Sequence, residues 1–136
     1  LPIYADAAGV AARLMKTNKR LSQDKADWLV QHWAKPGTDG SWRILGDSAH
    51  KVINPYLFQV EEARAMYSRI SAPVLVVEAS DDSLSQWWKG KYTLAEFHER
   101  LKSVPQVEIA RIEDAGHMMH HDQPAALAAL IERFIA

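Results

Sequence analysis

The stretch Glu113-Asp114-Ala115-Gly116-His117-Met118-Met119-His120-His121-Asp122-Gln123-Pro124 decides how the rest of the chain is read. Just before it, Val107 to Ile112 has the composition of a strand. Just after it, Pro124 to Ile135 places Leu127, Leu130, Ile131 and Phe134 on one face of a helix. A histidine therefore stands between a strand end and a helix start. Gly116 lets the backbone before it turn tightly or enter the left-handed region, so the ring can stand clear of the strand. Ligands and catalytic groups in open parallel sheets gather at such strand ends.

Upstream of this stretch, Pro73-Val74-Leu75-Val76-Val77 is a continuous apolar run closed by Ser80-Asp81-Asp82-Ser83. A run without alternation suits a strand covered on both faces, as in a parallel sheet. Leu94, Phe97 and Leu101 then mark a helix, and Pro105 prevents its continuation. The second half thus reads strand, helix, strand, helix, and a right-handed crossover makes the two strands parallel. Two strands leave unpaired backbone along an edge. The rest of the chain offers at most one doubtful strand, Ser41 to Leu45, so further strands are expected from outside it.

Residues 1 to 70 read as helical. Asp6 caps a helix with Ala7, Val10, Ala11 and Leu14 on one face, and Ser22 caps a second with Ala26, Leu29, Val30 and Trp33 at i, i+3, i+4 and i+7. Lys35-Pro36-Gly37 ends that helix, and Asp39-Gly40 signals a turn. Gly46 to Pro55 looks irregular. A helical period returns from Phe58 to Ile70 through Val60, Ala63, Met66 and Tyr67.

Composition narrows the functional classes. The 136 residues are 48% hydrophobic, enough for a core of single-domain size. With 16 basic and 17 acidic residues the formal net charge is -1, which supplies no electrostatic case for nucleic acid or an anionic membrane surface. Small neutral or mildly polar partners are expected instead. No cysteine is present, so disulfides, thiolate catalysis and cysteine-ligated zinc are excluded. No apolar run approaches the ~18 residues of a membrane span. A soluble, cytoplasmic protein is the expectation. The opening Leu1-Pro2-Ile3-Tyr4 lacks methionine and begins in mid-pattern, as a piece of a longer sequence would.

Together, the apolar strand with an acid just past it, the helix, the strand closing on Asp114-Ala115-Gly116-His117-Met118, and Asp122-Gln123-Pro124 before a terminal amphipathic helix resemble the C-terminal part of α/β-hydrolases. The resemblance covers Ser71 to Ala136. It implies an α/β fold in which residues 1–70 are a helical cap or lid and residues 71–136 are the C-terminal part of the core, an incomplete parallel sheet. Trp42, Asp47, His50, Lys51 and Pro55 loosely resemble a lid pattern of some members. The family's acid stands three residues after a glycine at the strand end. Ala79 occupies that glycine position, which points to Asp82, with Asp81 as the alternative.

Such enzymes need a nucleophile, a histidine that moves protons or activates water, and a carboxylate that fixes the imidazole tautomer and steadies its positive form. The resemblance implies His117 as the base and Asp82 as the orienting acid, with no cofactor and a small, largely apolar ester or related molecule as substrate. The same framework can also cleave carbon–halogen, epoxide or carbon–carbon bonds. The nucleophile belongs on a Gly-x-Ser-x-Gly turn between strand and helix. This sequence has none; Gly46-Asp47-Ser48-Ala49-His50 comes nearest and is read as a polar lid turn. The chain alone is therefore expected to be inactive, with its sheet completed by the N-terminal part of the same enzyme or by another copy. A different class of function is an inactive fragment or a binding partner that pairs its strand edge with another chain.

Simpler readings stand beside these. His117, His120 and His121 have a spacing that could bind metal on a helix, but they precede the helix start expected at Asp122 to Pro124, so no metal site is assigned. Trp87-Trp88 is read as core cover rather than pocket lining, and Trp33 as core. Met118 and Met119 fit a pocket wall or simple burial equally well.

Overall fold

The computed structural model describes all residues, 1–136, and divides them into two compact units, Leu1–Tyr56 and Leu57–Ala136. The division precedes the change of sequence texture at Ser71, because the helix expected over 58–70 belongs with the second unit.

In the first unit, α1 (Ala7–Thr17) starts where Asp6 accepts the Gly9 N–H at 2.7 Å, and α2 (Gln23–Trp33) starts where the Ser22 hydroxyl accepts the Lys25 N–H. Both helices turn their apolar stripes inward. Val10, Ala11, Leu21, Ala26, Leu29, Val30 and Ala34 form the buried core, with Tyr4, Leu14, Met15, Trp42 and Ile44 around it. The expectation of at most one strand is corrected: β1 (Ile3–Tyr4), β2 (Ala34–Pro36) and β3 (Trp42–Ile44) form an antiparallel sheet in the order β1-β3-β2. Strands of two or three residues are too short to show a period of two, so only pairing reveals them. Pro36 is tolerated because β2 is an edge strand. Gly40, at φ 77°, makes the turn between β2 and β3. Trp33 is corrected as well: it is 37% exposed, and Trp28 is 59% exposed and packs on His32.

Gly46-Asp47-Ser48-Ala49-His50 forms no strand-to-helix elbow. The Asp47 carboxylate accepts the Ala49 N–H at 2.8 Å and starts a short 3-10 helix, Ser48–Lys51.

The second unit is built on two parallel strands, β4 (Val74–Ala79) and β5 (Val107–Ile112), paired from Val74↔Val107 to Ala79↔Ile112. All six residues of β4 are half-buried, and β5 lies along one of its edges only. α3 (Val60–Tyr67) contacts α5 (Leu94–Leu101), which makes the crossover between the strands. Thr93 caps α5 by accepting the Glu96 N–H at 3.2 Å, the Thr-x-x-Glu pattern of a capping box. α7 (Pro124–Ile135) packs on β5, where Arg133 pairs with Glu108. Leu101, Val104, Ile112 and Ala115 are buried beneath. Two helices fall where the sequence reads as loop: α4 (Ser83–Trp87) and α6 (Met119–Asp122). Their five and four residues are too few for an apolar period. No helix of the chain is long and apolar enough to cross a membrane.

Candidate active site

The carboxyl ends of β4 and β5 lie side by side, and the loops that leave them are tied together. The Ser80 N–H donates to the Ile112 carbonyl at 2.9 Å, extending the ladder by one bond. The Ser80 hydroxyl then donates to the Ala115 carbonyl at 3.3 Å and accepts the Ala115 N–H at 3.2 Å. The Asp81 N–H also donates to the Ala115 carbonyl, at 3.0 Å. Two segments remote in sequence thus share one backbone knot, which sets Asp81 and Asp82 beside the turn that carries His117.

That turn is held from its other side. Asp122 accepts the Gly116 N–H at 2.8 Å, and the Gln123 side-chain amide donates to the Asp114 carbonyl at 3.2 Å. The left-handed residue is Asp114, at φ 50°, rather than a glycine beside the histidine. An aspartate tolerates this region better than most side chains do. Asp122-Gln123-Pro124 therefore has a clear local role: acid and amide fasten the loop, and proline opens α7 at a position that needs no N–H. His120 and His121 lie ahead of α7, as expected, but in the short helix α6, with ring centroids 4.1 Å apart.

His117 and both aspartates line a single cleft of about 290 Å³. Its other walls are mostly apolar: Val76, Val77, Leu84, Leu94, Phe97 and Met119, with Glu78 and Tyr92. Glu78, on β4, is paired with His98 on α5, which fastens the wall helix to the strand. Burial pushes the Tyr92 phenol above its ordinary value, partly offset by the Arg100 guanidinium 4.3 Å over its ring centroid.

Asp82 has a structural partner in this setting. It caps α4, with one carboxylate oxygen accepting the Ser85 N–H at 2.9 Å and the other the Ser85 hydroxyl at 2.5 Å. The Ser85 hydroxyl, then its N–H, holds the Asp82 carboxyl below the usual carboxylate range, and partial desolvation opposes them. Its oxygens are thus turned toward Ser85, but each keeps a further lone pair able to accept a bond. The Asp-x-x-Ser spacing is the sequence signal for this cap. The tryptophans next to it are not core cover: Trp87 and Trp88 are 68% and 55% exposed. Trp87 lies against His117, with ring centroids 4.7 Å apart and a 50° tilt. Trp88 meets the Tyr92 ring edge-on.

The signature of the alpha/beta hydrolase family matches residues 2–130. The chain belongs to this family. As an α/β-hydrolase it shares its fold with solved structures of low sequence identity. The thioesterase domain from the curacin biosynthetic pathway superposes with a TM-score of 0.76 at 23% identity, over 97% of this chain and 44% of that one. E-2-(acetamidomethylene)succinate hydrolase gives 0.73 at 18%, over 98% and 47%. A Mycobacterium tuberculosis esterase gives 0.76 at 15%, over 98% and 42%. The chain therefore spans less than half the length of these neighbours. No curated protein sequence matches it.

Proposed function

We propose that this chain supplies the acid–base half of an esterase-like α/β-hydrolase, with His117 as general base and Asp82 as the carboxylate that orients it. The observation that carries the reading is the shared cleft: His117 and Asp82 come from different strand ends and line the same mostly apolar cavity. Asp81, which lines it too, is the alternative acid. The substrate is a small, largely apolar ester or related acyl compound, which the apolar walls favour. In this reading His117 takes the proton of a nucleophile and later returns it to the leaving group, or activates the water that releases the acyl group. Asp82 accepts from the other ring nitrogen, using a lone pair left over from Ser85. Residues 1–70 are the cap segment of the enzyme, and residues 71–136 are the C-terminal part of the core.

The nucleophile comes from outside these 136 residues. Two observations support this: Gly-x-Ser-x-Gly is absent, and Ser48 opens an exposed 3-10 helix instead of an elbow. The unpaired edge of β4 is where the N-terminal part of the same enzyme, or another copy, completes the sheet. An inactive chain that binds a partner through that edge is the competing reading.

Hydrolysis of a short acyl ester by this chain and by a version extended upstream separates them. The expected result is activity in the extended protein only, lost in His117→Ala and unaffected by Ser48→Ala. Activity of the 136-residue chain that disappears in Ser48→Ala would overturn the assignment of the nucleophile. An inactive extended protein would favour the partner reading.

A further inference from the structure

We infer that Trp87 is a positioning residue for His117, held in place by the short helix that Asp82 caps. The inference rests on the role proposed for His117, but its physical core is the contact itself. The indole and the imidazole stand 4.7 Å apart between centroids, within the range of favourable aromatic pairs. Most of Trp87 is nevertheless exposed, so burial does not explain where its ring lies.

α4 explains it. A helix of five residues gains little from its own hydrogen bonds and depends on its ends. At the first end Asp82 takes two bonds from Ser85. At the other, Lys89 and Gly90 have φ of 51° and 72°, and the Gly90 N–H donates back to the Ser85 carbonyl at 2.9 Å, the 6→1 bond of a Schellman closure. Ser85 is thus held from both sides, and Trp87, two residues on, is delivered onto the ring of His117. Asp82 in this way bears on the histidine through a helix as well as by facing the same cleft.

An aromatic ring packed at this distance against one side of an imidazole limits rotation about the broad terminal torsion of histidine and keeps water from that side. The indole, its centroid within about 6 Å, also attracts the positive charge that the imidazole carries after it accepts a proton. Both effects act on the proton-transfer step more than on substrate binding. Trp87 therefore acts on turnover through the imidazole it packs against.

Two measurements test this on Trp87→Ala and Trp87→Phe. In NMR spectra of this chain, the ring-proton resonances of His117, assigned by their loss in His117→Gln, are expected upfield of those of an exposed histidine. They should move downfield in Trp87→Ala and stay mostly upfield in Trp87→Phe. In ester hydrolysis by the extended enzyme, kcat is expected to fall roughly three- to tenfold in Trp87→Ala, with KM within about twofold, and to recover in Trp87→Phe. His117 resonances unmoved by Trp87→Ala would overturn the contact. A kcat unchanged, or lowered equally by alanine and phenylalanine, would overturn the positioning role. The NMR arm needs no turnover, so an inactive wild-type enzyme would count against the hydrolase reading and leave the contact to be judged separately.

Discussion

Ser80 and Ala115, 35 residues apart, are joined twice: the serine hydroxyl accepts the alanine N–H and donates to the alanine carbonyl. Ala115 is fully buried, so its backbone groups have no water to fall back on. One side chain at the end of β4 thereby pins the loop that leaves β5, and with it the spacing between the Asp81-Asp82 pair and His117.

Ser80→Ala should lower stability by about 1–2 kcal/mol, the loss of two partly buried bonds with a buried N–H left unmet. Urea unfolding measures it. Ser80→Thr retains a hydroxyl and should lose less. A change below a few tenths of a kcal/mol in Ser80→Ala would show that the knot holds nothing.

Asp122 should behave as a loop anchor. Its bond to the Gly116 N–H is charge-assisted, so Asp122→Ala is expected to cost about 1–3 kcal/mol and Asp122→Asn clearly less. Amide exchange at Gly116 reads the same contact directly. It should accelerate in the alanine variant, while exchange in the middle of β5 changes only in step with global stability.

The pH dependence of stability has a defined sign at Asp82. Hydrogen bonds from Ser85 lower its carboxyl in the folded protein, so the stabilisation is present above the unfolded value, ~3.9, and is lost as pH falls through the lower folded value. Asp82→Asn should therefore be less stable than the wild type at pH 7. The gap between the two should hold at pH 5 and close below about pH 3.9. A gap that stays constant from pH 7 to pH 2 would remove Asp82 from the capping role. Thermal midpoints across that range suffice.

Glu78 and His98 fasten β4 to α5 with side chains that are 13% and 38% exposed, the carboxylate being the more deeply placed. A double-mutant cycle with Glu78→Gln and His98→Phe is expected to return a coupling of about 1–2 kcal/mol, above what exposed pairs give. A coupling near zero would mean that α5 is held by Leu101 and its apolar neighbours alone. In the extended enzyme, either single variant should also widen the cleft and raise KM for short esters.

Much of the chain was legible without coordinates. The starts of α1 and α2 follow from Asp6 and Ser22, the span of β5 from its composition, and the start of α7 from Pro124. Each of these depends on residues within a turn or two of one another, which is the range over which a sequence pattern acts. The short strands β1 and β2 and the helices α4 and α6 were not legible, because too few residues take part for a period to emerge. Trp33 shows the related limit: its place on an apolar stripe says which face it shares, not whether anything covers that face.

The sequence by itself determined an alternation of strand and helix in the second half, a histidine at one strand end, a pair of acids at the other, and the absence of a serine elbow. Those are properties of order along the chain. Only the tertiary structure decided that the two strand ends share a cleft, that Ser80 knots their loops, that Asp122 rather than a left-handed glycine steadies the turn before His117, and that Trp87 lies on the imidazole. These depend on the register of β4 against β5, and a register joins residues that the sequence holds some thirty positions apart.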